Sequence, residues 1–223
     1  DGPPAHHSTN AREARTAPLD HVTTPVAAHA SSKHLPAAYW AYWVLLIASC
    51  GLEFCLLFWA PAYLESVVGF APAVAAAAAA GFPLGMLLGR IALRTLVRRV
   101  ALRRLLIAAL ACVFAGFLIY WGVSWQPAAI LGVFLIGLGV APLYPLSTDF
   151  AIGAAPLNRD VASMRLAIAF GLSLLLTPIA LGALADEVGL GPAHLALPAL
   201  ILAAYVSFFA GEALQRRATV AAA

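Results

Sequence analysis

The sequence predicts an all-α integral membrane protein that crosses the bilayer as six transmembrane helices. Three observations predict this fold class. Hydrophobic residues make up 63% of the 223 residues and charged residues only 10%, with a mean hydropathy of +0.91, whereas a soluble domain carries about 25% charged residues. The apolar residues form six long stretches, and the lysines and arginines fall on one side of that series. Lipid must therefore surround most of the side chains.

Each of the six apolar stretches is close to the roughly 20 residues that a helix needs to cross about 30 Å of hydrocarbon. They cover residues 38–60, 70–88, 105–123, 127–146, 166–185 and 195–211. Only helices and closed barrels satisfy all backbone polar groups in lipid, and these stretches lack the alternating pattern of barrel strands. Short connections make each predicted helix antiparallel to the one before it.

The chain divides into three predicted regions. Residues 1–35 are rich in Pro, Ala, Thr, Ser and His without apolar periodicity, which predicts a flexible tail or central linker. Residues 36–214 form the transmembrane domain, and residues 215–223 form a C-terminal tail. Irregularly spaced histidines and three cysteines in apolar runs favour no metal site, cofactor or disulfide. Because the chain begins with Asp1 rather than Met, we expect it to be a piece of a longer protein.

The positive charges predict the orientation of the chain in the membrane. In an alternating six-span arrangement all thirteen fall on one side: Arg12, Arg15, Lys33, Arg90, Arg94, Arg98, Arg99, Arg103, Arg104, Arg159, Arg165, Arg216 and Arg217. The opposite connections carry only Glu65, Asp186 and Glu187. Short loops rich in Lys and Arg stay in the cytoplasm, so we expect both termini to be cytoplasmic in the cell membrane. A net charge of +3 does not indicate a nucleic-acid partner.

The first span carries the most deeply placed ionisable residue, Glu53. Tyr42, Ser49 and Glu53 share one helical stripe, at offsets of seven and four residues. An ionisable group at bilayer depth costs several kcal/mol and is a functional candidate for that reason. Glu53 is expected to bind a cation, to carry a proton, or to pair structurally with a neighbouring helix, and the sequence leaves these alternatives open.

The fourth and fifth spans also carry polar residues beside prolines. Pro142 and Pro145 flank Tyr144 in the fourth span, and broken helices of this kind often line transport sites. Ser173 and Thr177 precede a proline in the fifth span, where they form either part of a cavity wall or a pair of hydroxyls bonded to their own helix.

Two further patterns concern packing and charge pairing. Ala77, Gly81, Gly85 and Gly89 recur every four residues, which predicts a small-residue ridge for close helix packing. Asp149 and Arg165 are expected at the same ends of spans four and five, where they form either a gate salt bridge or two independently solvated charges.

Several motifs together resemble the C-terminal half of a transporter of the major facilitator superfamily. Gly85-Met-Leu-Leu-Gly89-Arg90, followed by four more arginines, resembles the second copy of the family's glycine-arginine loop motif, although no acidic residue lies within it. Gly137-Leu-Gly139-Val-Ala-Pro142-Leu-Tyr144-Pro145 is similar to the tenth helix of many bacterial members, and Leu181-Gly182-Ala-Leu-Ala-Asp186 resembles the end of their eleventh. The resemblance covers residues 36–214.

The resemblance implies two inverted three-helix repeats that form half of the family's fold. Spans one, two, four and five would line a cavity shared with an N-terminal six-helix half, and spans three and six would face lipid. It implies alternating-access transport of a small solute, coupled to an ion or a proton. The implied cavity residues are Glu53, Ser49, Tyr42, Tyr144, Ser173 and Thr177. The candidate gate residues are Arg90, Asp149 and Arg165.

Two other classes of protein remain as alternatives. An intramembrane protease with six spans needs a Gly-x-Ser-Gly nucleophile and a histidine within the membrane, and a metalloprotease needs His-Glu-x-x-His. The sequence contains neither motif. A stand-alone six-helix scaffold or homodimer is the other alternative, and the coding sequence upstream of Asp1 would distinguish it from half of a transporter.

Overall fold

A computed structural model describes Gly2 and residues 34–122 and 125–221, and these residues form helices without any strand. The helices are α1 (Ala37–Ser66), α2 (Pro72–Ala79), α3 (Gly81–Leu96), α4 (Leu102–Gly122), α5 (Gln126–Val140), α6 (Leu143–Ala154), α7 (Arg159–Val188), α8 (Leu190–Ala193) and α9 (Ala196–Ala221). The predicted tail or linker over residues 1–35 lies almost wholly outside the described residues.

The described helices supply six segments that are long and apolar enough to cross a membrane, which confirms the fold class. These segments are Ala37–Ser66, Pro72–Leu96, Leu102–Gly122, Gln126–Ala154, Arg159–Val188 and Leu190–Ala221. The second combines α2 with α3, the fourth α5 with α6, and the sixth α8 with α9.

Most of the spans extend beyond the stretches predicted from hydropathy. Helix α1 continues through Pro61 to Ser66, and α9 continues to Ala221, so most of the expected tail over residues 215–223 is helical. Hydropathy detects only the part of a helix that lies in hydrocarbon. Ala, Gln and Arg are good helix formers, and they extend α9 past its apolar section.

Prolines explain where two of the spans are interrupted. Pro83 lacks the N–H that would bond to the carbonyl of Ala79, and α2 ends at Ala79. Pro142 likewise cannot donate to the carbonyl of Leu138, and α5 ends two residues after Leu138, at Val140. In both cases a second helix resumes almost at once, so the span is bent rather than ended.

Two hydrogen bonds between α1 and α7 show the relative direction of spans one and five. The Tyr39 hydroxyl donates to the Ala162 carbonyl (2.9 Å) near the start of both α1 and α7, and the Trp59 Nε1 donates to the Pro178 carbonyl (2.9 Å) further along both. Spans one and five are therefore parallel, as alternation requires. Every lysine or arginine among the described residues then lies towards one end of the bundle.

Glycines allow α3 and α5 to approach closely. A Cβ on Gly85 would overlap the Phe134 carbonyl oxygen, and a Cβ on Gly89 would lie 2.6 Å from the Leu138 oxygen. On the facing helix, a Cβ on Gly137 would overlap the backbone of α3. The structure thus confirms the ridge at Gly85 and Gly89 as a packing surface.

We predict that Gly85→Ala lowers the free energy of unfolding by about 2 kcal/mol or more, because its new methyl group meets backbone that cannot move aside. Gly171→Ala is the matched control: a Cβ there meets no atom within 4 Å in α7, and alanine is the better helix former. Unfolding of each variant in detergent measures the difference. Equal stability of the two variants would contradict this packing.

Candidate functional site

Glu53 lies near the middle of α1 with its side chain half-buried. The charge of Arg90, on α3, acts on this carboxylate, although no ion pair within 4.0 Å joins the two side chains. Arg90 itself is exposed. A predicted gate residue thus contributes to the electrostatic environment of a predicted cavity residue without contacting it, a relation that the sequence did not indicate.

An aromatic chain links three helices beside Glu53. Phe54, the next residue of α1, packs edge-on against Phe170 of α7 with ring centroids 5.4 Å apart. Phe170 in turn packs edge-on against Tyr144 of α6 at 5.6 Å. Tyr144 is 42% exposed, so the last ring in this aromatic series is accessible from outside the bundle. Edge-to-face aromatic pairs hold their rings in a defined orientation. The packing against Phe170 therefore fixes the orientation of the exposed Tyr144 ring.

The hydroxyls of the fifth span bond to backbone. Ser173 is buried and donates to the Ile47 carbonyl (2.9 Å), which ties α7 to α1. Thr177 donates to the Ser173 carbonyl (2.6 Å) on its own helix. The sequence left open whether these hydroxyls form part of a cavity wall or bond to their own helix. The Thr177 hydroxyl bonds to its own helix, whereas the Ser173 hydroxyl joins two helices.

The remaining two members of the predicted stripe lie inside the bundle. Tyr42 is fully buried, its hydroxyl donates to Gln215 (2.9 Å) of α9, and its ring stacks on Phe150 of α6 at 5.5 Å. Ser49 is 2% exposed, and its Oγ has no hydrogen-bond partner among the described residues. Helical spacing predicted that both lie on the same face of α1 as Glu53. Because several helices cover α1, residues along that face contact different neighbours.

The candidate gate residues Asp149 and Arg165 do not form an ion pair in the described part of the chain. The guanidinium of Arg165 lies over the ring of Trp40, 5.2 Å from its centroid. Asp149 is exposed. Of the two interpretations, a gate salt bridge or two independent charges, the second describes this conformation.

The structure also brings together a polar cluster that the sequence did not predict. His194 is completely buried, with its ring centroid 4.3 Å from Tyr63 and 5.9 Å from Tyr120. Its Nδ1 lies 2.8 Å from the Leu190 carbonyl oxygen. Within residues 34–122 and 125–221, neither the His194 Nε2 nor the Tyr120 hydroxyl has a partner. The short helix α8, which begins after Gly189 (φ 86°), turns the chain inward here.

Six membrane-length segments in the described part of the chain define a polytopic membrane protein, and a mid-span carboxylate beside aromatic rings is typical of a transport site. The family model described as Major Facilitator Superfamily matches residues 1–164. The chain therefore belongs to the Major Facilitator Superfamily, and this membership supports a multi-pass membrane transporter. A comparison with curated proteins finds no match.

We predict that Ser173→Ala lowers the free energy of unfolding by about 1 kcal/mol, because it removes a hydrogen bond between helices in a low-dielectric interior. Ser207→Ala is the matched control, since Ser207 is also buried but donates to Ala203 (2.6 Å) of its own helix. Thermal unfolding of both variants in detergent compares them. An equal loss for both variants would show that the bond between α7 and α1 adds no stability.

Proposed function

We propose that this chain is the C-terminal six-helix half of a secondary transporter, which moves a small solute by alternating access coupled to an ion or proton gradient. The half-buried carboxylate of Glu53 in the middle of a membrane-spanning helix is the observation that carries this proposal. A charge at this depth is expensive in lipid and is retained where it binds a cation or a proton.

The positive charge of Arg90 in the surroundings of Glu53 supports a coupling role. An ionised Glu53 attracts the Arg90 guanidinium of α3. A proton that binds the carboxylate removes this attraction, and a bound cationic solute weakens it. The position of α3 relative to α1 then depends on whether Glu53 has bound a proton or a cation. A ligand shifts a conformational equilibrium only through such a difference between states.

The other candidate residues have more limited roles in this proposal. Tyr144 supplies an exposed aromatic surface for the solute. Ser49 supplies a buried hydroxyl whose oxygen is not yet engaged by the described residues. Tyr42 and Ser173 tie α1 to α9 and α7, so they position Glu53 rather than contact the solute. The Thr177 hydroxyl bonds to its own helix and has no assigned role in solute binding.

The remaining parts of the proposal follow from charge placement and fold. Arginines near one end of the bundle favour a cytoplasmic location for that end and for both termini, in the cell membrane. A cavity between two six-helix halves requires an N-terminal half. We expect the coding sequence upstream of Asp1 to supply that half as six further hydrophobic spans.

We predict that Glu53→Gln abolishes gradient-driven accumulation in proteoliposomes that contain both halves, because glutamine has the same shape but can neither ionise nor take up a proton. Uptake of cationic, neutral and anionic solutes is measured with and without a pH gradient. Glu65→Gln is the matched control, since Glu65 is an exposed residue near the far end of the same helix. Accumulation by the control variant should match that of the unchanged protein.

Counterflow separates the two roles open to Glu53. A variant that exchanges solute but no longer accumulates it has lost coupling, whereas loss of both activities indicates a cation-binding carboxylate. Unchanged accumulation by Glu53→Gln would contradict both. Saturable uptake by residues 1–223 alone, or a start codon close to Asp1 without six preceding spans, would contradict the proposal of two halves.

A further inference from the structure

A cavity of about 350 Å³ opens where α3 ends. It is lined by Arg94, Thr95, Arg98 and Arg99. Arg94 lies in the last turn of α3, and Arg98 and Arg99 lie in the turn that leads to α4. All four side chains are exposed, so the cavity is accessible from the surface of the bundle.

The positive charge of this cavity is not compensated by the described residues. Residues 90–104 contain six arginines and no acidic residue. Arg103, which does not line the cavity, pairs with Glu212 through bonds of 2.8 and 3.0 Å from its Nε. Arg94, Arg98 and Arg99 form neither an ion pair nor a side-chain hydrogen bond within residues 34–122 and 125–221. Like charges held this close together favour a bound anion.

An apolar surface adjoins the same cavity. Leu96 and Val97, which lie between the lining residues in sequence, are 42% and 44% exposed. One to two turns earlier on α3, Leu88 and Ile91 are 43% and 53% exposed. In a chain that spans the membrane, such residues face acyl chains, so the arginines lie at the boundary between hydrocarbon and water.

We infer that this cavity binds the phosphate headgroup of an anionic phospholipid. The planar guanidinium group donates two parallel hydrogen bonds to phosphate oxygens, and Thr95 adds a hydroxyl. The acyl chains of the lipid lie along the exposed apolar residues of α3. A soluble phosphate would use the arginines but would leave that apolar surface unused, so the combination of the two surfaces favours a lipid. Basic pockets at the ends of membrane helices bind anionic headgroups in this way.

The test is native mass spectrometry of the full chain in detergent, titrated with phosphatidylglycerol and, separately, with phosphatidylcholine. We expect tighter binding of phosphatidylglycerol, and about a fivefold loss of affinity for each arginine neutralised in Arg98→Gln/Arg99→Gln. Arg216→Gln/Arg217→Gln is the matched control, since it removes two adjacent exposed arginines from α9, near the same end of the bundle. Circular dichroism verifies that each variant keeps its helices.

Each outcome decides the inference. Selective loss in Arg98→Gln/Arg99→Gln supports it. Equal losses in both double variants indicate general attraction to anionic lipid and overturn the inference, as does equal binding of both lipids. Inorganic phosphate at millimolar concentration is the last arm: if it raises the unfolding temperature through Arg98 and Arg99 while lipid binding does not depend on them, the site takes a soluble phosphate and the inference fails. None of these readouts depends on transport.

Discussion

The requirement that every backbone polar group in hydrocarbon be satisfied within the protein governs this structure. It explains why most of the described residues are helical and why the interruptions before Pro83 and at Pro142 are each followed almost at once by a new helix. Lipid provides little hydrophobic drive for helices to associate, so contacts at small residues and hydrogen bonds between helices hold such bundles together. Here glycines join α3 to α5, and the hydrogen bonds of Tyr39, Ser173 and Trp59 join α7 to α1.

The two charged residues of the candidate site lie on helices that are held by different kinds of contact. Glu53 is carried by α1, which hydrogen bonds attach to α7, while Arg90 is carried by α3, which packs on α5 through glycines. The attraction between the two side chains therefore acts between spans one and two, which also contact each other through α1 and α2. A change in the charge of Glu53 alters this interaction between the two spans.

The sequence was sufficient to predict the features that depend on composition, namely the number and direction of the spans. It was not sufficient where burial and contacts depend on which residues of other helices lie nearby. Long uncharged stretches and segregated arginines were sufficient for six alternating spans. The ends of α1 and α9 were missed because hydropathy falls where a helix leaves the hydrocarbon, although its hydrogen bonds continue. Spacing along α1 predicted that Tyr42 and Glu53 share one stripe, but it does not reveal which neighbouring helix covers each residue when all sides of the helix are apolar. The burial of His194 was equally hidden, because it depends on a turn at Gly189 that no hydropathy pattern marks.

The central claim is that hydrocarbon surrounds these helices and that the arginines record the direction in which each was inserted. Single cysteines at positions 98 and 186, in a background that lacks Cys50, Cys55 and Cys112, can be labelled in intact cells with a maleimide that does not cross the membrane. The account predicts labelling of Asp186→Cys from outside and of Arg98→Cys only after the membrane is opened. Labelling of both residues from the same side would contradict the topology, and the transport proposal that depends on it would fail.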